Sequence, residues 1–172
     1  VNGSLQLTIP AGGSEPRFGG LASPFGVFPA GGRLAAYFWQ MNQGTSAAVF
    51  ALRSRERQPG KDRPQHELRV EATRDTAVTN DFAFEVTYRH GDVVTHLDSG
   101  FALPPLQQVF ELAEKRRELC VASSAAPDVD PALTPWNPCV DASWLACAQF
   151  ALEVRERQPQ AGPSVRFRAT PP

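Results

Sequence analysis

Phe50-Ala51-Leu52-Arg53-Ser54-Arg55-Glu56-Arg57-Gln58-Pro59 returns one hundred residues later as Phe150-Ala151-Leu152-Glu153-Val154-Arg155-Glu156-Arg157-Gln158-Pro159. Eight of the ten positions are identical, so internal duplication is the first reading of this chain. In the second copy Phe150, Leu152 and Val154 alternate with Ala151, Glu153 and Arg155. A period of two with one apolar and one charged face is the pattern of a half-buried strand. Ser54 breaks the apolar series of the first copy, and each copy ends in Gln-Pro, where proline has no N–H to give a ladder.

The text after each copy also matches. Leu68-Arg69-Val70-Glu71-Ala72-Thr73 parallels Val165-Arg166-Phe167-Arg168-Ala169-Thr170. Each copy is therefore expected to open a β-hairpin, the first through Gly60–Pro64 and the second through a tighter loop at Gln160–Pro163. A third hairpin is expected between them. Phe82, Phe84, Val86 and Tyr88 alternate with polar residues, His90-Gly91-Asp92 supplies the turn, and Val93 to Leu97 returns. Leu5 to Ile9 reads as a strand ended by Pro10-Ala11-Gly12-Gly13. Leu34 to Met41 is apolar on both faces and suits either a buried strand or a short helix.

One helix is expected near 105–119. Leu106, Val109, Phe110 and Ala113 fall at i, i+3, i+4 and i+7 after Pro104-Pro105, and Glu111 and Lys115 are spaced to pair. Residues 123–138 hold four prolines and no charge except Asp128 and Asp130, which reads as a long loop. A fainter echo joins Ser23–Pro29 to Ser99–Pro105. The fold class expected is an all-β sandwich of antiparallel hairpins with that one helix. It forms a single domain over 1–172, with pseudo-repeats at 23–74 and 99–172.

Composition narrows the function classes. The chain has 172 residues, 17 basic and 18 acidic side chains and a net charge of −1, so no global field draws it to nucleic acid or to an anionic membrane. No apolar run approaches the ~20 residues of a membrane span. Proline and glycine total 29, spread throughout, which suits a turn-rich β fold. No initiator Met or leader is seen, which leads to the expectation of a processed start. The sequon Asn2-Gly3-Ser4 points towards an extracytoplasmic location. Three cysteines, Cys120, Cys139 and Cys147, allow one bridge and one spare thiol, with Cys139–Cys147 the pair considered, or three free thiols.

No motif names a reaction. His66, His90 and His96 read as surface histidines, with no metal-ligand spacing around them. There is no Gly-x-Ser-x-Gly elbow and no phosphate-binding loop. No catalytic residue, metal or cofactor is therefore expected. Glu71, Glu85 and Glu153 are strand carboxylates of the kind a glycosidase draws from distant positions, but the sequence raises none above the others. The alternating arginines, interleaved with glutamates, read first as solvated cross-strand ladders.

Trp136 and Trp144 bracket the proline-rich loop beside Asn137. Aromatics on a long loop of a β scaffold suit a peptide or a sugar. The first expectation is thus a non-catalytic binding or assembly module. It would recognise a protein or glycan partner through Trp136, Asn137, Trp144, Arg155 and Arg157, alone or within a homo- or hetero-oligomer. The alternatives are a structural subunit of a larger assembly and a hydrolase using dispersed carboxylates.

Overall fold

The computed structural model describes residues 4–10, 12–26, 33–74, 82–102, 108–115, 118–124, 139–141, 143–159 and 162–170. Those residues form twelve strands in two six-stranded antiparallel sheets. In spatial order the first sheet runs β1 (Ser4–Thr8), β12 (Ser164–Thr170), β3 (Arg33–Met41), β8 (Gln108–Lys115), β9 (Glu118–Ser124) and β10 (Cys139–Asp141). The second runs β2 (Phe18–Ala22), β11 (Ala148–Glu156), β4 (Thr45–Ser54), β5 (His66–Thr73), β6 (Phe82–His90) and β7 (Val93–Ala102). The sequence reading of an all-β sandwich holds.

The core follows from strand periodicity. Ala48, Phe50 and Leu52 of β4 face inward with Leu68, Val70 and Ala72 of β5, Phe84 and Val86 of β6, and Leu152 and Val154 of β11. Leu7, Ile9, Met41 and Val140 meet them from the side of the first sheet. Ser54, which broke the apolar series, is buried for a reason. Its hydroxyl accepts from the backbone N–H of His66 at 2.9 Å and donates to the carbonyl of Glu56 at 2.9 Å, closing the mouth of the β4–β5 hairpin.

The two repeat copies lie side by side. β4 and β11 pair antiparallel with Ala51 opposite Ala151, Phe50 opposite Leu152 and Leu52 opposite Phe150. The near-identical strands are thus related by a local twofold through the two alanines.

Two expectations need correction. The helix expected near 105–119 is not found among the described residues: Gln108–Lys115 is β8, paired to β3 on one side and β9 on the other. The helical spacing was real but short, and Phe110-Glu111-Leu112 alternates just as well. Ladders on both sides supplied the tertiary context that decides such a segment. The second hairpin is also absent. β11 and β12 are consecutive in sequence, yet β12 pairs with β1 and β3 in the opposite sheet. By contrast β4–β5 and β6–β7 are the hairpins expected, the latter turning at Gly91 with φ of 61°.

The chain passes from one sheet to the other after β1, β2, β3, β7, β10 and β11, and polar side chains bind the corners after β1, β3 and β11 together. The Asn42 amide donates to the Gly162 carbonyl at 2.8 Å, and its oxygen accepts from Thr45 Oγ1 at 2.8 Å and the Ser164 N–H at 3.0 Å. Glu156 accepts from the backbone N–H of Arg17 at 3.2 Å, Arg17 Nε at 3.4 Å and the Gly162 N–H at 3.3 Å. Burial opposes the charge on Glu156, but these donors outweigh it and hold the carboxyl below its ordinary value.

A carboxylate row on the outer face of the second sheet

With the even residues of β4 turned inward, Ala47, Val49, Ala51 and Arg53 lie on the outer face of the sheet. Pairing registers sort that face into rows. One row, nearest the β4–β5 turn, is Gln149, Arg53, Glu67 and Arg89. The next is Ala151, Ala51, Arg69 and Thr87. The third is Glu153, Val49, Glu71 and Glu85. Successive rows are ~6.6 Å apart along the strands.

Ion pairs connect the rows. Glu67 accepts from Arg53 Nε and from Arg89 Nη2, each at 2.6 Å and each on a different carboxylate oxygen. Arg53 Nη2 also donates to Glu153 at 2.6 Å. Burial disfavours the charge of Arg53, but its bonds to Glu67 and Glu153 more than compensate and raise its pKa. Arg69 donates to one oxygen of Glu71 through Nε at 2.8 Å and Nη2 at 2.7 Å. The cross-strand Arg–Glu ladders read from the sequence are present.

Glu71 and Glu85 are directly opposite one another across β5 and β6. Like charges in that position destabilise a sheet. Each carries a cationic or ionisable neighbour: Arg69 on Glu71, and His96 Nδ1 on Glu85 at 2.6 Å. A β-bulge helps to position His96. The β6–β7 register shifts between Val86 and Thr87, so Asp98 faces Val86, His96 faces Thr87 and Leu97 is the extra residue. Bulges that re-aim a side chain are frequent beside functional sites.

The residues singled out from sequence do not meet on this face. Trp136 and Asn137 lie outside the described residues. Trp144 is only 8% exposed, stacked on His66 at 5.7 Å with an interplanar angle of 2°. Its indole N–H donates to the Asp141 carbonyl at 2.6 Å. Arg155 is exposed opposite Phe18 at the β2 side of the sheet. Arg157 donates to the backbone carbonyls of Gln43 at 3.2 Å and Thr45 at 3.3 Å, and to that of Arg74, so it braces the corners.

His66 is corrected from a surface histidine to a buried one. Its Nδ1 bonds the Tyr88 hydroxyl at 2.9 Å, and its ring stacks on His90 at 4.3 Å. Burial, then the neighbouring His90, lowers its pKa against the opposing pull of Asp141 and Glu56. Among the described residues no group of three or more His, Cys, Asp or Glu side chains is disposed to hold a metal ion. No helix among them is long and apolar enough to cross a membrane.

No protein-family model matches this sequence, and no curated protein matches it. Solved structures do. A glycoside hydrolase family 16 endo-glucanase from Bacteroides ovatus superposes with a TM-score of 0.60 at 9% identity, over 99% of this chain and 81% of the enzyme. A structure described under endo-acting O-glycanases of the human gut microbiota that initiate mucin breakdown superposes with a TM-score of 0.55 at 16% identity, over 99% of this chain and 80% of that one. At these identities the likeness is one of fold. It corrects the expectation, placed first from sequence, of a non-catalytic binding or assembly module: the two structures that share this sandwich are described as a glycoside hydrolase and under O-glycanases.

Proposed function

We propose that this protein is a glycoside hydrolase that binds a glycan across the outer face of the second sheet, with Glu71 and Glu85 as its reacting carboxylates. The observation that carries this reading is their direct opposition across β5 and β6. Facing residues of an antiparallel pair have Cβ atoms about 4.5–5.5 Å apart. Glutamate side chains rooted at that spacing can set their carboxyl groups at the about 5–5.5 Å separation of a retaining glycosidase.

The environments divide the roles. Arg69 places two N–H donors on one oxygen of Glu71 and fixes its carboxyl in place. Glu71 is the nucleophile that attacks the anomeric carbon as the glycosidic bond breaks. Glu85 is the more exposed of the two and shares a hydrogen bond with His96. It gives its proton to the leaving oxygen, then takes one from the water that releases the sugar from Glu71. Glu153, in the same row three strands from Glu85, is held by Arg53 and lies too far off to pair with it. The endo-glucanase and O-glycanase likenesses support a glycan as the substrate class.

The test is release of reducing ends from a panel of β-glucans and mucin O-glycans by the purified chain, with Glu71→Gln and Glu85→Gln alongside. The expected result is cleavage of at least one substrate and a loss of ~10²–10⁴-fold in each variant at unchanged folding. No cleavage of any panel member, or full activity in both variants, overturns the assignment.

A further inference from the structure

We infer that the depression at the β4–β5 end of the same face is a second sugar site, built for a neutral, hydroxyl-rich unit of the glycan and against a sulfated or acidic one. This rests on the hydrolase reading and names the substrate class that the reading leaves open.

The depression has a volume of about 350 Å³, within the ~300–1,000 Å³ of small-ligand sites. The row of Arg53, Glu67 and Arg89 forms its floor, and the β4–β5 connection adds Arg57 and Arg63 as a wall. Every guanidinium in the lining already has a carboxylate. Arg53 is paired to Glu67 and Glu153, Arg57 to Asp62, Arg63 to Asp92, Arg69 to Glu71, and Arg89 to Glu67. Five guanidinium groups thus meet five carboxylates, and the lining is densely polar with its charge compensated from within. Lys61 shares Asp92 from outside the lining. An anion entering the depression would have to displace an existing partner and face the carboxylates at close range. A hydroxyl displaces nothing. It donates to a carboxylate oxygen and accepts from an N–H, and a guanidinium has more N–H groups than these ion pairs occupy.

The C–H face of a sugar ring finds its counterpart in Phe25, an aromatic wall of the depression that is 43% exposed. The opposite wall is fixed before any ligand arrives. Within the connection the Gln58 N–H donates to the Arg63 carbonyl at 3.0 Å and the Gln65 N–H to the Glu56 carbonyl at 2.8 Å. Asp92, in the β6–β7 turn, takes hydrogen bonds from Lys61 and Arg63 and so ties the connection to the neighbouring hairpin. A site ordered in advance loses less on binding. Glu67 and Glu71 are four residues apart on β5, ~13 Å along the strand. The sugar held here is therefore removed from the bond being cut, and the depression governs which chain is bound rather than how the bond breaks.

The experiment is calorimetric titration of the full chain carrying Glu85→Gln, which stops hydrolysis and leaves every ion pair of the depression in place. The probes are neutral β-glucan oligosaccharides and neutral mucin-type oligosaccharides, each as a length series, and the longest of each bearing sulfate esters. In at least one neutral series the affinity should rise tenfold or more from the shortest member to the longest. It should change less than twofold in 0.5 M salt (on the order of a 4 Å screening length), and the sulfated counterpart should bind more weakly. Phe25→Ala should remove most of the gain with length. If that variant is unfolded by circular dichroism, Arg57→Gln, at a largely exposed position, should reduce the gain at least threefold. Tighter binding of a sulfated chain overturns the inference, as does affinity that does not grow with length, a gain untouched by the substitutions, or no binding of any probe. A gain lost in Phe25→Ala, without cleavage of any substrate by the parent chain, leaves the sugar site standing and removes the hydrolase reading. Cleavage with no gain in affinity along either series does the reverse.

Discussion

Phe50 and Phe150, equivalent residues of the two repeat copies, touch: their ring centroids are 5.3 Å apart with the planes inclined at 52°. The pair lies beside the local twofold that relates β4 to β11. Truncating Phe50, which is fully buried, should cost ~3–5 kcal/mol in denaturant unfolding. Phe150, half-buried, should cost less, and Arg155→Ala on the exposed face should stay within ~0.5 kcal/mol. A double-mutant cycle on the two rings should give a coupling of ~0.5–1.5 kcal/mol. Strict additivity would show that the contact contributes nothing beyond burial.

Glu71 and Glu85 set function against stability. Replacing Glu85 by Gln removes a like-charge opposition worth ~0.2–1 kcal/mol and a half-exposed contact with His96 worth little. The variant should lose hydrolysis and melt at the same temperature or higher. A fall of several degrees would mean that Glu85 serves the sheet and not a substrate.

Two buried groups predict how stability changes with acid. His66 has a folded pKa below its unfolded value near 6.5, so the unfolded chain binds more protons. Its contribution is complete above pH 6.5 and is lost as the pH falls from there through the lower folded pKa. Thermal melts from pH 8 to 5 should decline in this window, and His66→Gln should flatten that part of the curve. An unchanged slope would detach the decline from His66.

Glu156 acts in a lower window. Its folded pKa is depressed below its unfolded value near 4.5. Its contribution is present above that value and lost as the pH falls through the folded pKa. Glu156→Gln should lower the melting temperature at pH 7 and erase most of the difference from the parent at pH 3. A constant offset at both pH values would exclude the charge as the source.

Cys120 and Cys139 are directly opposite in register on β9 and β10, while Cys147 is free and exposed. This corrects the Cys139–Cys147 pairing considered from the sequence. Labelling under denaturing, non-reducing conditions should find the Cys147 thiol reactive. A bridge mapped to Cys147 would exclude this register.

Much of the fold was legible because strands advertise themselves by period. The alternation in β4, β6 and β11 and the glycine turn at Gly91 were readable from single residues. The helix misreading at Gln108–Lys115 came from a segment whose pattern fits both periods, where only pairing partners decide. The misplaced β12 came from proximity in sequence, since a short connection such as 157–163 serves a hairpin and a sheet crossing alike. The candidate site was the least legible part. Glu71, Glu85 and Glu153 could each be named as strand carboxylates. Their shared row depends on the registers of β4, β5, β6 and β11, and the 75–81 connection hides the first from the second. His66 gave no signal of burial because its enclosing partners, Tyr88, His90 and Trp144, come from distant positions.

The pairing of β4 with β11 has a consequence for how the chain reaches this fold. A strand that fits its own near-copy in antiparallel register also fits itself. β4 leaves the ribosome a hundred residues ahead of its partner, and during that interval the β4 of another nascent chain offers almost the same edge. Slow closure of so distant a pair lengthens the exposure. The charged Arg-Glu-Arg-Gln-Pro that ends both copies is then a guard as well as a strand terminus, since it sets like charges and a proline where a misassembled ladder would have to extend.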